Sequence, residues 1–487
     1  MPSPPRRMRL TDELGQPKTP GTAREILASA DSPDWLLLGL GPDPAALAAG
    51  LPPEARVAWI ECPDFEAQAG PDWLAAIPPH WTRLEGLPSP PGGNISLCVS
   101  SLRLFPGFWG PLMARLRLPS QAAPSTKPTV LMPASCGRLL RRELLKAFRA
   151  RGFRVLEIQP GELAAVLRRE SPSLFLSVNF DGLDESGFDY HLLRRAGVPV
   201  AVWCVDNPFH ALSRLKGLFW REIHIFVTDG WFLESLRRHG AEHAYHLPLA
   251  ACQSFFDARP DAPQLQGRLL FVGRSGFPGR DDYFAGLRPP QELLDEALAM
   301  LPQGQRPDYA WWLKRLGCET LWPGRQARLA GLGAELCGQA WRAAVIEGAA
   351  AAGPLSVCGD KRWPELARAT FELLPPVDYY GPLAGMYASC RCVIGATSPL
   401  LPRGLNQRHF DVWAAGGLLL SDDTPGLDIF PADLMREIVF RTPGEIPEAL
   451  RRLESAGEAL RTAWREHIAS QHTYDARVET ILNHATP

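Results

Sequence analysis

Gly404-Leu-Asn-Gln-Arg-His-Phe-Asp-Val-Trp-Ala-Ala-Gly-Gly-Leu-Leu-Leu-Ser-Asp-Asp423 reads as a glycine turn, a short helix, a Gly416-Gly417 break and an apolar strand ending in acids. Turn, helix and continuous apolar strand in so short a span point to an α/β architecture with a buried sheet. A turn of this kind leaves unpaired amide N–H groups at a helix start, which suits an anionic ligand such as a diphosphate. Gln407, Arg408 and Asp411 are spaced so that they can share one helix face, and a short carboxylate there suits ribose hydroxyls. The competing reading is an amphipathic helix whose polar side is simply solvated. The rest of the chain has to separate the two.

Working back from this stretch, the same rhythm repeats. Thr129-Val-Leu-Met132 reads as a strand, Leu139–Ala150 as a helix, Phe153–Ile158 as a strand and Gly161–Arg169 as a helix. Leu174-Phe-Leu-Ser-Val178 is an apolar strand that empties into Asn179-Phe-Asp-Gly-Leu-Asp-Glu-Ser186, and Val198–Val205 empties into Asp206-Asn-Pro-Phe-His210. Strands alternating with helices of this length imply a parallel sheet covered on both faces. In such sheets the loops at the strand carboxyl ends carry the chemistry, which singles out Asn179, Asp181, Asp184 and Glu185 in one loop and Asp206, Asn207 and His210 in another. A second series opens at Leu269–Val272 with Gly273-Arg-Ser-Gly276, and continues through Leu355–Cys358 and Cys392–Gly395. Between them, residues 288–351 read as an inserted helical bundle whose tryptophans are expected in the core. Near the amino terminus, Trp35–Leu38, Gly39-Leu-Gly41, helix Pro44–Ala49, strand Val57–Ile60 and Glu61 follow the order of a dinucleotide or S-adenosylmethionine fingerprint. Pro44 stands where a third glycine is expected, so a plain βαβ unit is the stronger reading. The expected division is residues 1–125 as an α/β module, 126–262 as an acceptor-side domain and 263–487 as a donor domain with carboxy-terminal helices.

A chain of 487 residues with net charge -2, 46% hydrophobic and 21% charged residues is an ordinary globular protein. That balance argues against nucleic-acid or anionic-membrane binding. Met1-Pro-Ser-Pro-Pro-Arg-Arg-Met8 lacks a secretory apolar core and no run reaches membrane-spanning length, so a cytoplasmic protein with no integral membrane segment is expected. The cysteines form no C-x-x-C pair, which disfavours a structural zinc.

Phe271-Val-Gly-Arg274, Val357-Cys-Gly-Asp360, Tyr380-Gly381, Tyr387-Ala-Ser-Cys-Arg391 and the opening stretch form a co-linear set. This order resembles the donor half of a GT-B glycosyltransferase, and most of all the branch named after the spore-maturation protein CgeB. That branch is also matched by Val202-Trp-Cys-Val-Asp-Asn-Pro208 and His472-Thr-Tyr-Asp-Ala-Arg477. The resemblance covers roughly residues 170–487. It implies two facing Rossmann-like domains with parallel sheets, a nucleotide-diphospho-sugar donor, a glycan, lipid-linked or protein acceptor, and no cofactor or metal. By position it places Gly273 and Arg274 at the donor diphosphate, Gly381 beside the nucleobase, and Asp411 on the ribose. Gly404, Asn406, Gln407, Arg408, Gly416 and Gly417 fall in the same donor motif. Where many GT-B enzymes carry a glutamate that touches the donor sugar, this chain has Arg403. An inverting course would need a base, for which Asp206, Asp181 and His210 are the candidates. A non-catalytic sugar-nucleotide sensor and a methyltransferase built on Gly39, Gly41 and Glu61 stay open as alternatives.

Overall fold

In the computed structural model, which describes residues 8–89, 91–135, 140–318, 320–321 and 324–486, a two-stranded ribbon (Leu10–Thr11 with Pro17–Lys18) precedes three larger sheets that follow one another along the chain. The polar lead Met1–Arg7 and the expected helix start at Leu139 lie outside the described residues. The first sheet has strands β1 (Arg24–Ala28), β2 (Asp34–Leu38), β3 (Arg56–Ile60), β4 (Thr82–Arg83) and β5 (Asn94–Cys98), in the order β1-β5-β2-β3-β4. Only β1 is antiparallel, at an edge, where its charged and half-exposed Arg24-Glu-Ile-Leu-Ala28 hides the strand signal. Helix α1 (Pro106–Arg117) was also not expected, because Pro111 inside it reads as a breaker. This helix fixes the module to the next domain. Its Gly110 lies so near His191 that a Cβ there would sit 2.0 Å from the ring, and the Glu13 carboxylate accepts from Gly107 N (2.7 Å) and Leu218 N (3.1 Å).

The middle domain contains β6 (Thr129–Pro133), helix α2 (Arg141–Ala150), β7 (Arg154–Ile158), β8 (Leu174–Val178), helix α3 (Phe188–Arg195), β9 (Val200–Cys204), helix α4 (Pro208–Leu212), β10 (His224–Val227) and β11 (His243–His246). All pairings are parallel, in the order β7-β6-β8-β9-β10-β11. The third sheet follows: β12 (Leu269–Val272), helix α5 (Tyr309–Arg315), helix α6 (Gly324–Ala352), β13 (Leu355–Cys358), β14 (Glu372–Leu374), β15 (Cys392–Ile394), helix α7 (Arg408–Ala414), β16 (Leu419–Asp422) and β17 (Val439–Phe440). Its order, β14-β13-β12-β15-β16-β17, is all parallel and is the doubly wound Rossmann order. Two Rossmann-like domains with their strand ends facing across a cleft give the GT-B arrangement. Among the described residues no helix is long and apolar enough to cross a membrane.

Two boundary expectations need correction. The helical segment read as a donor-domain insertion straddles both domains. Trp312, Ala330, Ala334 and Cys337 are buried with the middle-domain core, while Trp341, Val345, Ile346 and Ala349 on the same helix α6 are buried with the third. Helix α6 has 29 residues, about 43 Å at 1.5 Å per residue, long enough to span the two. The end of the chain also departs from the donor domain. Helix α8 (Ile446–Gln471) stays on the third sheet, but helix α9 (Tyr474–Ala485) returns to the middle one. Tyr474, Val478, Ile481 and Ala485 form one apolar stripe against Val130, Leu176 and Trp203. Each buried aliphatic side chain of that kind contributes about 1.5–3 kcal/mol, enough to hold the crossing.

Candidate functional site

The facing sheets leave a cavity of about 890 Å³ between their strand carboxyl ends. In the third domain, strand order reverses between β12 and β15, and the turns after those strands supply Arg274, Gly276, Ser398, Leu400 and Asn406 to the lining. In the middle domain the turns after β8 and β9 supply Asn179, Asp206, Asn207 and His210. An open α/β sheet holds its ligand at such a reversal, because two adjacent connections leave to opposite faces and open a crevice.

The turn after β12 is held from every side. Gly273 N donates to Cys358 O (3.0 Å) and Gly273 O accepts from Trp363 Nε1 (2.9 Å). The Asp360 carboxylate accepts from Ser275 N (2.7 Å) and Ser275 Oγ (2.9 Å), contacts that hold its pKa below the usual carboxylate range against the opposing effect of its partial burial. Arg342, from α6, donates to Ser275 O (3.0 Å) and to Glu335 (3.2 Å). With its neighbours so tied, the exposed Arg274 side chain makes no hydrogen bond or ion pair among the described residues and stands in the cavity wall. A guanidinium so placed is fit to grip phosphate oxygens.

Across the cavity, Asn207 explains the Asp206-Asn-Pro208 motif. Its Oδ1 caps helix α4 by accepting from Phe209 N (3.0 Å), Pro208 occupies the first helical position, and its Nδ2 donates across the domains to Leu400 O (3.0 Å). Asp206 is thereby left with its carboxylate toward the cavity. Desolvation in the cleft raises the Asp206 pKa, opposed by Asn179 Nδ2, which donates to Oδ2 at 2.8 Å. Asn179 and Phe180 are the only non-glycine residues with positive φ among the described residues (53° and 65°). Two such residues in a row cost of order 1–3 kcal/mol each, and the surrounding fold must hold them there.

The other two base candidates fare differently. Asp181 lines an adjoining pocket of about 470 Å³ with Glu185 and Arg214 rather than the main cavity. His210 lines the cavity, but its ring is enclosed by Tyr283, Phe284 and Tyr309, and a Cβ on Gly331 of α6 would sit 2.1 Å from Nε2. Burial pulls its pKa down to about 3, which makes it a neutral and weak base at physiological pH.

The donor motif is where the structure departs most from expectation. The anion hole at Gly404–Arg408 is filled by the chain itself: Gly404 N donates to Leu401 O, Asn406 N to His409 Nδ1, Arg408 N to Asn406 Oδ1 and His409 N to Asn406 O. Nor is the helix face solvated. Asp411 is 1% exposed, accepting from Cys252 N on Oδ1 (3.1 Å) and from Tyr379 OH on Oδ2 (2.6 Å). The carboxylate expected on ribose is thus enclosed by protein groups, and burial raises its pKa to about 7. Gln407 Nε2 donates to Ala250 O, and Tyr474 OH donates to Gln407 Oε1 (3.3 Å). Arg408 donates to Val272 O and to Ala396 O (3.2 Å), clamping the ends of β12 and β15. Gly416 ends α7 in the left-handed region (φ 75°), and a Cβ on Gly417 would sit 2.6 Å from Tyr387 O. Gly381 lies in an exposed turn that does not line the cavity. Of the donor set, Arg274 and Asn406 line the cavity, Gly273 builds its wall, Gly381 lies apart in its exposed turn, and the rest hold the domain together.

Arg403 is also turned away. Its N donates to Asp229 Oδ2 (2.8 Å) and its guanidinium pairs with Asp428. Asp422 is wholly internal, accepting from Thr397 N (3.0 Å), Arg306 (2.8 Å) and Trp341 Nε1 (2.9 Å). Among the described residues no three His, Cys, Asp or Glu side chains converge as a metal site would require. In the amino-terminal module, the Glu61 carboxylate accepts from Leu40 N (2.8 Å) and Cys62 N (3.0 Å), and Arg24 donates to Gly39 O (2.7 Å). The acid that a methyl-donor site would present to ribose is thus engaged by its own turn.

Residues 316–483 match the model of a family described as glycosyl transferase-like. The matched span includes Gly381 and the Gly404–Gly417 motif but begins after Arg274 and excludes the middle domain. Solved structures similar to the whole include HepE from Anabaena in complex with UDP and glucose, at 9% identity over 73% of this chain and 98% of that one, with a TM-score of 0.44. Another is a UDP-forming α,α-trehalose-phosphate synthase from Burkholderia xenovorans, at 13% identity over 93% and 98%, with a TM-score of 0.35. These likenesses are loose, and the fold rests on the sheets themselves. No curated protein sequence matches the chain.

Proposed function

We propose that the chain transfers a sugar from a nucleoside diphospho-sugar to a hydroxyl of a glycan, lipid-linked or protein acceptor, in the cleft between the middle and carboxy-terminal domains. The observation that carries this reading is the cavity at the strand ends of both sheets, with Arg274, whose side chain has no partner among the described residues, on one wall and Asp206 on the other. Arg274 would neutralise charge growing on the leaving diphosphate, with the Arg342 guanidinium behind the same turn. In an inverting reaction Asp206 would take the proton of the acceptor hydroxyl, and its raised pKa suits that task. Neither role is assigned to a metal. The order of motifs supports membership of the CgeB-like branch within this class.

The decisive experiment is a thermal-shift panel of uridine, guanosine, cytidine and thymidine diphospho-sugars against the intact chain and its Arg274→Ala variant. A ligand that binds only the folded state raises the melting point. One base series should stabilise the intact chain and lose at least most of that shift in the variant; no shift with any base rejects the reading. A second reading is a sensor that binds a sugar nucleotide in the same cavity but does not turn it over. Nucleotide release that Asp206→Asn abolishes would exclude it.

A further inference from the structure

The turn after β8 supplies a contact that no part of the donor motif accounts for. Asn179 uses its whole amide on the turn after β9: Oδ1 accepts from Val205 N (2.9 Å) and, more weakly, from Asp206 N (3.4 Å), while Nδ2 donates to Asp206 Oδ2 (2.8 Å). Its own N donates to Trp203 O (3.0 Å), continuing the β8–β9 ladder by one residue before the backbone enters the left-handed region. Asn is the side chain that tolerates this conformation while offering both an acceptor and a donor, which explains why glycine does not occupy the position. Resting on the reading above, we propose that Asn179 is the positioning residue for Asp206, clipping the two strand ends together and fixing which carboxylate oxygen is left for the acceptor hydroxyl.

The contact does three things. It fixes the Asp206 rotamer, because one oxygen is tied and the other is directed into the cavity. It favours the ionised carboxylate, because the amide donates to the charged form, against the desolvation that raises the pKa. It also holds Asn179 and Asp206 side by side in the cavity lining. The charged and titratable groups lining the same cavity are Arg274, Tyr283, Glu335 and Arg342 on one wall and His210 and Arg214 on the other. Cys204 lies at the end of β9 just before Asp206, and its thiol is raised by burial.

Two variants separate this role from a structural one. Asn179→Asp keeps the acceptor for Val205 N but replaces the donor with a carboxylate beside Asp206. Asn179→Gly keeps the backbone conformation and removes both contacts. The Asp206 carboxyl is followed by ¹³C NMR in the full chain labelled at aspartate side-chain carbons, its signal assigned by its absence in Asp206→Asn. The titration midpoint should rise by about one pH unit or more in Asn179→Asp and by less in Asn179→Gly. Nucleotide release from the diphospho-sugar found in the panel should show its acidic limb moved in the same direction. Unchanged midpoints in both variants overturn the positioning role while leaving the transferase reading intact. Shifted midpoints combined with full activity of Asp206→Asn overturn the base, and the role of Asn179 with it.

Discussion

The Gly404–Gly417 segment and the Asn179–Asp206 and Arg274 turns carry similar polar residues and use them in opposite ways. In the first, Arg408, Asp411 and Gln407 are turned onto carbonyls, an amide and tyrosine hydroxyls from five separate parts of the chain. In the second, each turn is secured by its neighbours so that one charged group is left toward the cavity. A polar motif is available to a ligand only when the surrounding turn satisfies itself by other means. Where a buried helix has no water, its polar side chains become the fastening of the fold.

Breaking the fastening should have the largest effect on stability. Arg408→Ala removes donors from Val272 O and Ala396 O and opens a cavity behind them, an expected loss of about 3–5 kcal/mol by denaturant titration. Asp411→Ala leaves Tyr379 OH and Cys252 N buried without an acceptor, for a loss of roughly 2–4 kcal/mol. If either variant keeps wild-type stability, the distinction between the two regions fails. Next comes Gly331→Leu, which forces a side chain into the space of His210 and should cost about 1–3 kcal/mol together with a several-fold fall in nucleotide release.

A pH effect sharpens the same contrast. Asp411 has its pKa raised from 3.8 to about 7 by burial, so the folded chain holds a proton that the unfolded chain releases. Stability from this group is therefore full below about pH 4 and declines as pH rises toward 7. Glu61, raised to about 7, acts in the same direction from the amino-terminal module. Melting temperature measured from pH 4.5 to 7.5 should fall less steeply in Asp411→Asn than in the wild type; an identical slope contradicts the assignment.

Much of this was legible in the sequence because buried parallel strands are plain apolar runs: Leu269–Val272 and Leu355–Cys358 lie where the pattern puts them. The carboxyl-end rule led to Asp206 and His210, and the family resemblance to Arg274, all three of which line the cavity. What stayed hidden depends on distant partners. Nothing local in Asp411 says that Tyr379 and Cys252 will fill its two oxygens, and nothing in Tyr474–Ala485 says which sheet its apolar stripe will cover. Asn179 was visible in its loop, but its role emerges only when β8 and β9 lie side by side. The glycines at 331 and 338 of α6 did carry a signal, since small residues seven apart on a long helix mark a close approach, here to His210 and Pro399.

The smallest expected change in stability belongs to Arg274→Ala, within about 0.5 kcal/mol of wild type, because its exposed side chain makes no hydrogen bond or ion pair among the described residues. That makes it the most direct test of the central claim. Calorimetric titration of wild type and Arg274→Ala with the nucleoside diphosphate selected by the thermal-shift panel should show affinity reduced about tenfold or more at unchanged melting temperature. Equal affinity in the two proteins would contradict the account and move the diphosphate away from this turn.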